Sequence, residues 1–131
     1  MSADADTRPI RMPHTVYFSI VQWQPTRVRA EGANIGIVLV DPDRNRLETT
    51  YMVSFDRARA MFPKAKLDDD RLLAEIRSFD TALREVAVTV PDVGAFLAKQ
   101  TQAHGIAATA LRAADGRVVT LRRLFTELVE D

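Results

Sequence analysis

The N-terminal third of the chain alternates between two sets of side chains with the two-residue period of β-strands. The segments that show this period are residues 14–23, 34–40 and 47–53. In the first segment both sets are largely apolar or aromatic, which is typical of a strand covered on both faces. In the second segment Ile35, Ile37 and Leu39 are predicted to point the same way. The pattern therefore predicts three neighbouring strands.

A turn joins the second and third predicted strands. Residues 41–46 read Asp-Pro-Asp-Arg-Asn-Arg, and proline cannot continue a sheet, whereas aspartate and asparagine stabilise turns. The spacing partly resembles a calcium loop, but the glycine and the distal glutamate of such a loop are missing. We therefore interpret the segment as a solvated hairpin turn. The strand that follows is predicted to place on one face Leu47, Thr49, Tyr51 and Val53.

From Ser54 onward the hydrophobic spacing changes to the three- and four-residue steps of helices. Ser54 is predicted to cap a short helix that ends at Pro63. Longer helices are predicted over residues 69–86, from residue 89 to near His104, and over residues 120–130, with a strand at residues 106–113. The fold is therefore predicted to be α+β, an antiparallel sheet of about four strands, with an N-terminal meander, covered by three or four helices.

Length and composition limit the class of protein. The chain has 131 residues, of which 47% are hydrophobic and 27% are charged, as expected for one globular domain. We expect a flexible tail over residues 1–13, which contain no apolar signal segment, and a single domain over residues 14–131. Because cysteine and long apolar stretches are absent from the sequence, we expect no disulfide, thiolate metal site or membrane span, and the cytoplasm is the simplest location.

Acidic and imidazole side chains give little support for catalysis. Asp68, Asp69 and Asp70 diverge from the start of a predicted helix, so helix capping is favoured over a metal site. His14 and His104 are the two histidines, and His104 suits the positive charge favoured at a helix C-terminus. The sequence contains no Gly-x-Ser-x-Gly elbow, Walker loop or dinucleotide fingerprint. We therefore expect no cofactor.

The segment of residues 27–39 is the most distinctive part of the chain, because it places charged side chains in a polar loop that leads into a buried strand. Asn34 can bond its own backbone at the junction, and Gly36 leaves room on one strand face. Two interpretations stay open: a hydrogen-bonded structural anchor, which residue chemistry favours, and a recognition or catalytic loop on a rigid sheet. The candidate binding residues are Arg27, Arg29, Glu31, Asn34 and Gly36.

Several stretches together suggest a family. They are Val-Tyr-Phe-Ser-Ile-Val at residues 16–21, Arg-Ala-Glu-Gly-Ala-Asn-Ile-Gly-Ile-Val-Leu-Val-Asp-Pro at residues 29–42, Phe-Asp-Arg-Ala-Arg at residues 55–59, and Met-Phe-Pro at residues 61–63. With them the chain resembles the bacterial domain of unknown function family 3037 over residues 14–129. The resemblance implies a small cytoplasmic protein without an established activity. It also implies a gene that often lies beside one for a HipA-like kinase, the toxin type of some toxin–antitoxin systems.

The resemblance and the residue chemistry lead to ranked functional hypotheses. We expect a non-enzymatic protein–protein interaction domain, an accessory or neutralising partner of a kinase-like protein, which binds through the loop and an exposed sheet edge. The alternative is a small enzyme or a nucleotide- or anion-binding protein, with Glu31 as acid/base and Arg27 and Arg29 as an anion clamp. A homo-oligomer also stays open, and no membrane partner is expected.

Nucleic-acid binding ranks third among these hypotheses. Tyr17, Phe18 and Trp23 lie near arginines and could stack on the bases of a single strand, but the RNP pattern is absent. The formal net charge of the chain is zero, which argues against strong electrostatic binding to a polyanion. Nucleic acid is therefore an unlikely partner.

Overall fold

The computed structural model of the chain describes residues 14–26, 31–100 and 105–130, with only the backbone described at Thr26 and Glu31. The predicted tail at residues 1–13 and the predicted helix end near His104 lie outside the described residues. No helix within these ranges is both long and apolar enough to cross a membrane.

Antiparallel strands form one sheet around the N-terminal strand. The strands are β1 (Thr15–Thr26), β2 (Glu31–Asp41), β3 (Arg46–Tyr51), β4 (Ile106–Ala108) and β5 (Arg112–Asp115). The order across the sheet is β3, β2, β1, and the other edge of β1 pairs with β5 near its start and with β4 near its end. The predicted antiparallel sheet and the predicted hairpin of β2 and β3 are confirmed.

Both faces of β1 are covered, as its sequence predicts. Val16 packs in one hydrophobic cluster, together with Phe18 and Ile20. Val21 and Trp23 belong to a second, larger cluster on the opposite face. The strand alternates between two cores because its side chains point to opposite faces of the sheet with period two.

The larger layer contains α1 (Asp56–Met61), α2 (Asp69–Leu83) and α3 (Val90–Gln100). Helix α2 begins where the Asp68 side chain accepts hydrogen bonds from the backbone N–H groups of Asp70 and Arg71, at 3.1 and 3.3 Å. The acidic run therefore caps a helix, as the sequence predicts. The helix ends three residues before the predicted position 86, and its buried stripe consists of Leu72, Ile76, Phe79 and Leu83.

The smaller layer is the C-terminal segment. Thr120 caps α4 (Leu121–Phe125) by accepting the backbone N–H of Arg123 at 3.1 Å. A π-helical turn over Thr126–Glu130 continues the chain. Leu124 and Val129 from this segment are buried against β2 and the start of β1. The predicted amphipathic C-terminal helix is therefore present, with a change of helical geometry at Thr126.

A β-bulge divides β2. Val21 pairs with Gly36 and Gln22 pairs with Asn34, so that Ile35 is an extra residue without a partner on β1. Beyond a bulge the side chains change faces. Ile35 therefore lies in the larger core, whereas Ile37 and Leu39 lie in the smaller one. The prediction that these three side chains share a face is wrong.

A second bulge interrupts the predicted strand at residues 106–113. Phe18 pairs with Arg112 and Val21 pairs with Ala108. The three residues 109–111 therefore lie opposite the two residues 19–20 of β1. The bulge is closed by side chains, because the Ser19 hydroxyl donates to the Thr109 carbonyl at 2.6 Å and the Thr109 hydroxyl accepts the Ile20 N–H at 2.9 Å. The sequence predicts one strand where the structure has β4 and β5.

Two further predictions near α1 are wrong. Val53 does not continue β3, which ends at Tyr51, and the residue is 92% exposed. Ser54 does not cap α1. The residue before the helix is Phe55, which makes no side-chain capping bond and is buried in the larger core. Burial of this ring places the helix start one residue later than the capping pattern predicts.

Candidate functional site

A small cleft opens where β2 begins, between α1 and the C-terminal π turn. It encloses about 120 Å³. We call it the α1 cleft, and the side chains that define it are Asn34, Met52, Phe55, Arg57, Met61 and Val129. Gly32 also lines it, within the distinctive segment of residues 27–39 that the sequence singles out.

Asn34 connects the sheet to the C-terminal turn across one wall of the cleft. Its amide Nδ2 donates to the Leu128 carbonyl oxygen at 2.8 Å, and its Oδ1 accepts from Gln22 Nε2 at 2.9 Å. The sequence-based interpretation suggested that the Asn34 side chain bonds its own backbone. It bonds Gln22 and Leu128 instead. Its bond to Leu128 satisfies a carbonyl group that the end of a helix leaves without an intrahelical partner.

Arg57 makes a second connection to the C-terminal turn, from α1. Its Nη1 donates to the Val129 carbonyl oxygen at 2.7 Å. A charge-assisted bond of this length fixes the turn against α1. The sequence reasoning did not place Arg57 among the candidate residues, although it lies in the stretch of residues 55–59 that carries part of the family resemblance. That stretch was the signal that could have found it.

Gly36 is a packing residue rather than part of the cleft. A Cβ atom at this position would lie 2.5 Å from Tyr51 Cδ1 and 2.9 Å from the Thr50 carbonyl oxygen. The predicted room on one strand face is thus occupied by the ring of Tyr51 from the neighbouring strand. The structure brings Asn34, but not Gly36, to the cleft.

The side chains of Arg27, Arg29 and Glu31 lie outside the part of the chain that the structure describes. Arg27 and Arg29 lie outside the described residues, and of Glu31 only the backbone is described, paired with that of Thr26. The proposed acid/base role of Glu31 and the anion clamp of Arg27 and Arg29 therefore stay predictions.

Exposed apolar side chains border the α1 cleft. Met61 lines it and is 51% exposed. Val53, which is 92% exposed, lies between Met52 and Ser54, and both of these residues also line the cleft. Val118, which is 53% exposed, lies in the turn after β5, whose last residue pairs with the first residue of β1. Val53 and Met61 thus lie beside the α1 cleft, whereas Val118 lies at the opposite end of β1.

A polar network fixes α2 to β3, away from the cleft. Asp80 Oδ1 accepts hydrogen bonds from the Thr49 and Tyr51 hydroxyls, each at 2.8 Å, and its Oδ2 accepts from Arg84 Nε at 2.8 Å. Burial, reinforced by the bond to Asp80 and its negative charge, raises the pKa of the Tyr51 phenol. Partial burial pushes the pKa of Asp80 upward, but the bonds from Arg84, Tyr51 and Thr49 outweigh it and hold that pKa below its usual value. This network stabilises the fold.

The aromatic residues considered for base stacking lie in the cores. Trp23 is 8% exposed and packs edge-on against Phe62, with ring centroids 5.9 Å apart. Tyr17 packs against the larger cluster and Phe18 against the smaller one. These rings form no exposed stacking platform, which weakens the case for single-strand binding.

Metal ligands do not converge in the described parts of the chain. Within them, no group of three or more histidine, cysteine, aspartate or glutamate side chains is arranged to hold a metal ion. The α1 cleft offers apolar walls together with the Asn34 amide, the Arg57 guanidinium and the Ser54 hydroxyl.

Comparison with protein families identifies the family of the chain. The chain belongs to the family described as Protein of unknown function (DUF3037), whose sequence model matches residues 18–129. This confirms the resemblance that the N-terminal motifs suggest. The comparison with curated proteins gave no match, and neither did the comparison with solved structures.

Proposed function

We propose that the protein is an interaction domain that binds a partner protein through the α1 cleft and the apolar surface beside it. The observation that carries this proposal is the exposure of Val53 and Met61, at 92% and 51%, at the border of one cleft. Neighbouring exposed apolar side chains around a concave surface are typical of protein interaction sites.

The size of the cleft favours a protein partner over a small-molecule substrate. Ligand pockets usually enclose about 300–1,000 Å³, whereas the α1 cleft encloses about 120 Å³. A cavity of this size accommodates one apolar side chain. Partner proteins commonly insert such a side chain as the anchor of an interface.

The walls of the cleft are held in place before any partner binds. Asn34 and Arg57 each donate a hydrogen bond to a carbonyl of the C-terminal turn, and Phe55 is fixed in the larger core. A preorganised surface loses little conformational entropy on binding, so more of the contact energy contributes to affinity.

The edge of the sheet extends the proposed surface. In the described ranges, β3 pairs with β2 and with no other strand, so its outer edge offers N–H and C=O groups to an added strand. The strand leads through Met52 directly to Val53. A partner could therefore pair with β3 and insert an apolar side chain into the cleft.

The partner that we propose is a HipA-like kinase, with the protein as its accessory or neutralising subunit in the cytoplasm. This choice rests on the family resemblance, whereas the surface rests on the observations above. The two parts of the proposal can therefore be tested separately.

The experiment is co-expression of the protein with a HipA-like kinase from the same genome, followed by interferometry on the purified components. Met61→Glu and Val53→Glu are expected to weaken binding about tenfold or more, because each places a charge on the apolar contact. Val118→Glu is the matched control, because Val118 is similarly exposed but lies at the other end of β1. It is expected to leave the affinity unchanged.

Two results would contradict different parts of the proposal. A complex whose affinity is the same in all three variants would exclude the α1 cleft as the surface. Absence of any complex with the kinase-like protein would exclude that partner. The unfolding temperature of each variant shows whether a loss of binding reflects a loss of fold.

A further inference from the structure

A second pocket lies at the other end of the sheet, between the turn after β2 and the start of α4. It encloses about 340 Å³. We call it the arginine pocket, because its walls carry the side chains of His14, Asp41, Arg44, Arg46, Glu48 and Arg122. The pocket shares only β3 with the proposed interaction surface, and its two β3 residues, Arg46 and Glu48, lie in the half of the strand away from the α1 cleft.

The arginines of this pocket are not engaged in short ion pairs. Arg44 Nε is 3.9 Å from Asp41 Oδ2, and Arg46 Nη1 is 3.8 Å from Glu48 Oε2. Both distances exceed those of hydrogen bonds. The guanidinium of Arg122 has no hydrogen bond or ion pair to any described residue. Other arginines instead donate to a carboxylate oxygen at 2.8–3.3 Å, namely Arg59, Arg71, Arg84, Arg117 and Arg123.

His14 is held in the wall of the arginine pocket. Its Nε2 lies 2.9 Å from Asp41 Oδ2, and Asp41 is only 6% exposed. Gly116 makes room for the ring, because a Cβ there would lie 2.8 Å from His14 Nδ1. The buried Asp41 Oδ1 has no hydrogen-bond partner within the described part of the chain. An ionised carboxylate oxygen only accepts hydrogen bonds, so this atom can pair with a hydroxyl donor but repels an anion.

We propose that the arginine pocket binds the phosphate group of a small phosphate monoester. Arg44, Arg46 and Arg122 supply guanidinium donors of the geometry that binds phosphate oxygens in pairs. His14, fixed by Asp41, presents its imidazole in the same wall. This is a binding site of a different kind from the α1 cleft, and it does not depend on the proposed protein partner.

The charges around the pocket are compatible with one bound anion. Its carboxylates are Asp41, which is bound to His14, and Glu48, which faces Arg46. The nearby Asp115 is already engaged, since its hydrogen bonds from the Arg117 side chain and backbone lower the pKa of its carboxyl to about 2. Three guanidinium groups therefore face two carboxylates in the lining. The excess positive charge is that of Arg122.

The dimensions favour a small molecule over a polymer. A volume of about 340 Å³ lies at the lower end of the range for ligand pockets, about 300–1,000 Å³. The formal net charge of the chain is zero, and a binder of a long polyanion usually has a broad excess of basic residues. We therefore choose ribose 5-phosphate as the probe, with inorganic phosphate for the anion alone and ribose for the uncharged sugar.

The test is a titration of the full chain followed by NMR of the histidine Cε1–H signals and by calorimetry. The chain has two histidines, so the signal that survives in His104→Gln belongs to His14. Ribose 5-phosphate is expected to shift this signal saturably with a Kd of about 1 mM or tighter, and ribose is expected to have no effect. Arg44→Ala and Arg122→Ala should each weaken binding about tenfold.

Arg77→Ala is the matched control, because Arg77 is an exposed arginine on α2, outside the pocket. This variant should bind ribose 5-phosphate with the affinity of the wild type. Binding of inorganic phosphate that is lost in Arg122→Ala would also support the site. No saturable shift with either anion would overturn the proposal. Equal affinity in Arg44→Ala, Arg122→Ala and Arg77→Ala would do so too, as would tighter binding of a single-stranded oligonucleotide. Unchanged unfolding temperatures confirm that the variants are folded.

Discussion

Gly36 lies on β2 where the ring of Tyr51 crosses the strand. An added Cβ would be 2.5 Å from Tyr51 Cδ1 and 2.9 Å from the Thr50 carbonyl oxygen, and the backbone oxygen cannot move aside cheaply. Gly36→Ala is therefore expected to lower the free energy of unfolding by about 1–3 kcal/mol, as overpacked sites do. Urea unfolding followed by circular dichroism measures this change.

Gly94 provides the control for this substitution. It lies inside α3, where an added Cβ would meet only Leu111 Cδ1, at 4.0 Å. Gly94→Ala should raise the free energy of unfolding by about 0.5–1 kcal/mol, because alanine favours a helix over glycine by that amount. If both alanine variants changed stability in the same direction, the assignment of Gly36 to a close contact would be wrong.

Asp80 contributes stability that depends on pH. The pKa of the Asp80 carboxyl in the folded protein lies below the ordinary value of 3.8. The ionised carboxylate therefore stabilises the folded state at pH values above 3.8. This stabilisation disappears as the pH falls through the pKa of the folded protein. Asp80→Asn is expected to lower the free energy of unfolding by about 1–2 kcal/mol at neutral pH. The difference from the wild type should shrink as the pH is lowered below 3.8.

Glu75 is the control for Asp80, because it is a carboxylate on the same helix outside the polar network. It accepts a single bond from the exposed Arg71, at 3.3 Å. Glu75→Gln should change the free energy of unfolding by less than about 0.5 kcal/mol, because exposed ion pairs contribute little. Urea unfolding of both variants at neutral and acidic pH makes the comparison. A cost of Asp80→Asn that does not vary with pH would contradict the network described for Asp80.

At the scale of elements, the Thr109 hydroxyl is one of two hydroxyl groups that close the bulge between β4 and β5. Thr109 Oγ1 accepts the Ile20 N–H at 2.9 Å, which replaces a backbone bond that the bulge prevents. Thr109→Val leaves this donor unpaired and should cost about 1–3 kcal/mol, whereas Thr109→Ser keeps the hydroxyl and should cost less. Hydrogen exchange at the Ile20 amide measures the effect directly. Equal exchange in the two variants would show that the hydroxyl is not required.

The sequence predicts an element when its whole length follows one period. The two-sided pattern of β1 and the apolar stripe of α2 are of this kind, and both are confirmed. The bulges at Ile35 and Thr109 are not predictable in this way, because an inserted residue reverses the faces that follow it without changing composition. Phe55 shows a further limit, since burial of its ring overrides the capping preference of Ser54.

The candidate site was only partly predictable for a related reason. The junction of loop and strand drew attention to Asn34, which does reach the α1 cleft. The partners of Asn34 and Arg57 are backbone carbonyls of residues 128 and 129, which are far away in the sequence. A carbonyl group is present at every residue, so no pattern of residue types can indicate which ones will converge. The contact becomes visible only when the C-terminal turn packs on the sheet.

Across the whole molecule, the sheet separates two layers of unequal size. Helices α1, α2 and α3 share the larger core, whereas the C-terminal segment covers a smaller cluster centred on Val16, Ile37 and Leu39. Segments that bury little apolar surface open locally at lower free energy than the rest of a protein. The smaller layer is therefore expected to open first, and the side-chain bonds to its last turn should limit how often it does so.

Asn34→Ala tests this coupling between layers, because it removes the bond from the sheet to the Leu128 carbonyl oxygen. Amides in residues 121–130 are expected to exchange about tenfold faster, which corresponds to the loss of one hydrogen bond, while those of α2 keep their protection. Gln22→Ala is the control, since it removes the support of Asn34 Oδ1 and the bond from Gln24 Nε2 but leaves the bond to Leu128 in place. Hydrogen exchange followed by mass spectrometry separates the two segments. Faster exchange throughout α2 as well would show that the layers unfold together, and Asn34 would then stabilise the whole fold rather than the C-terminal wall of the α1 cleft.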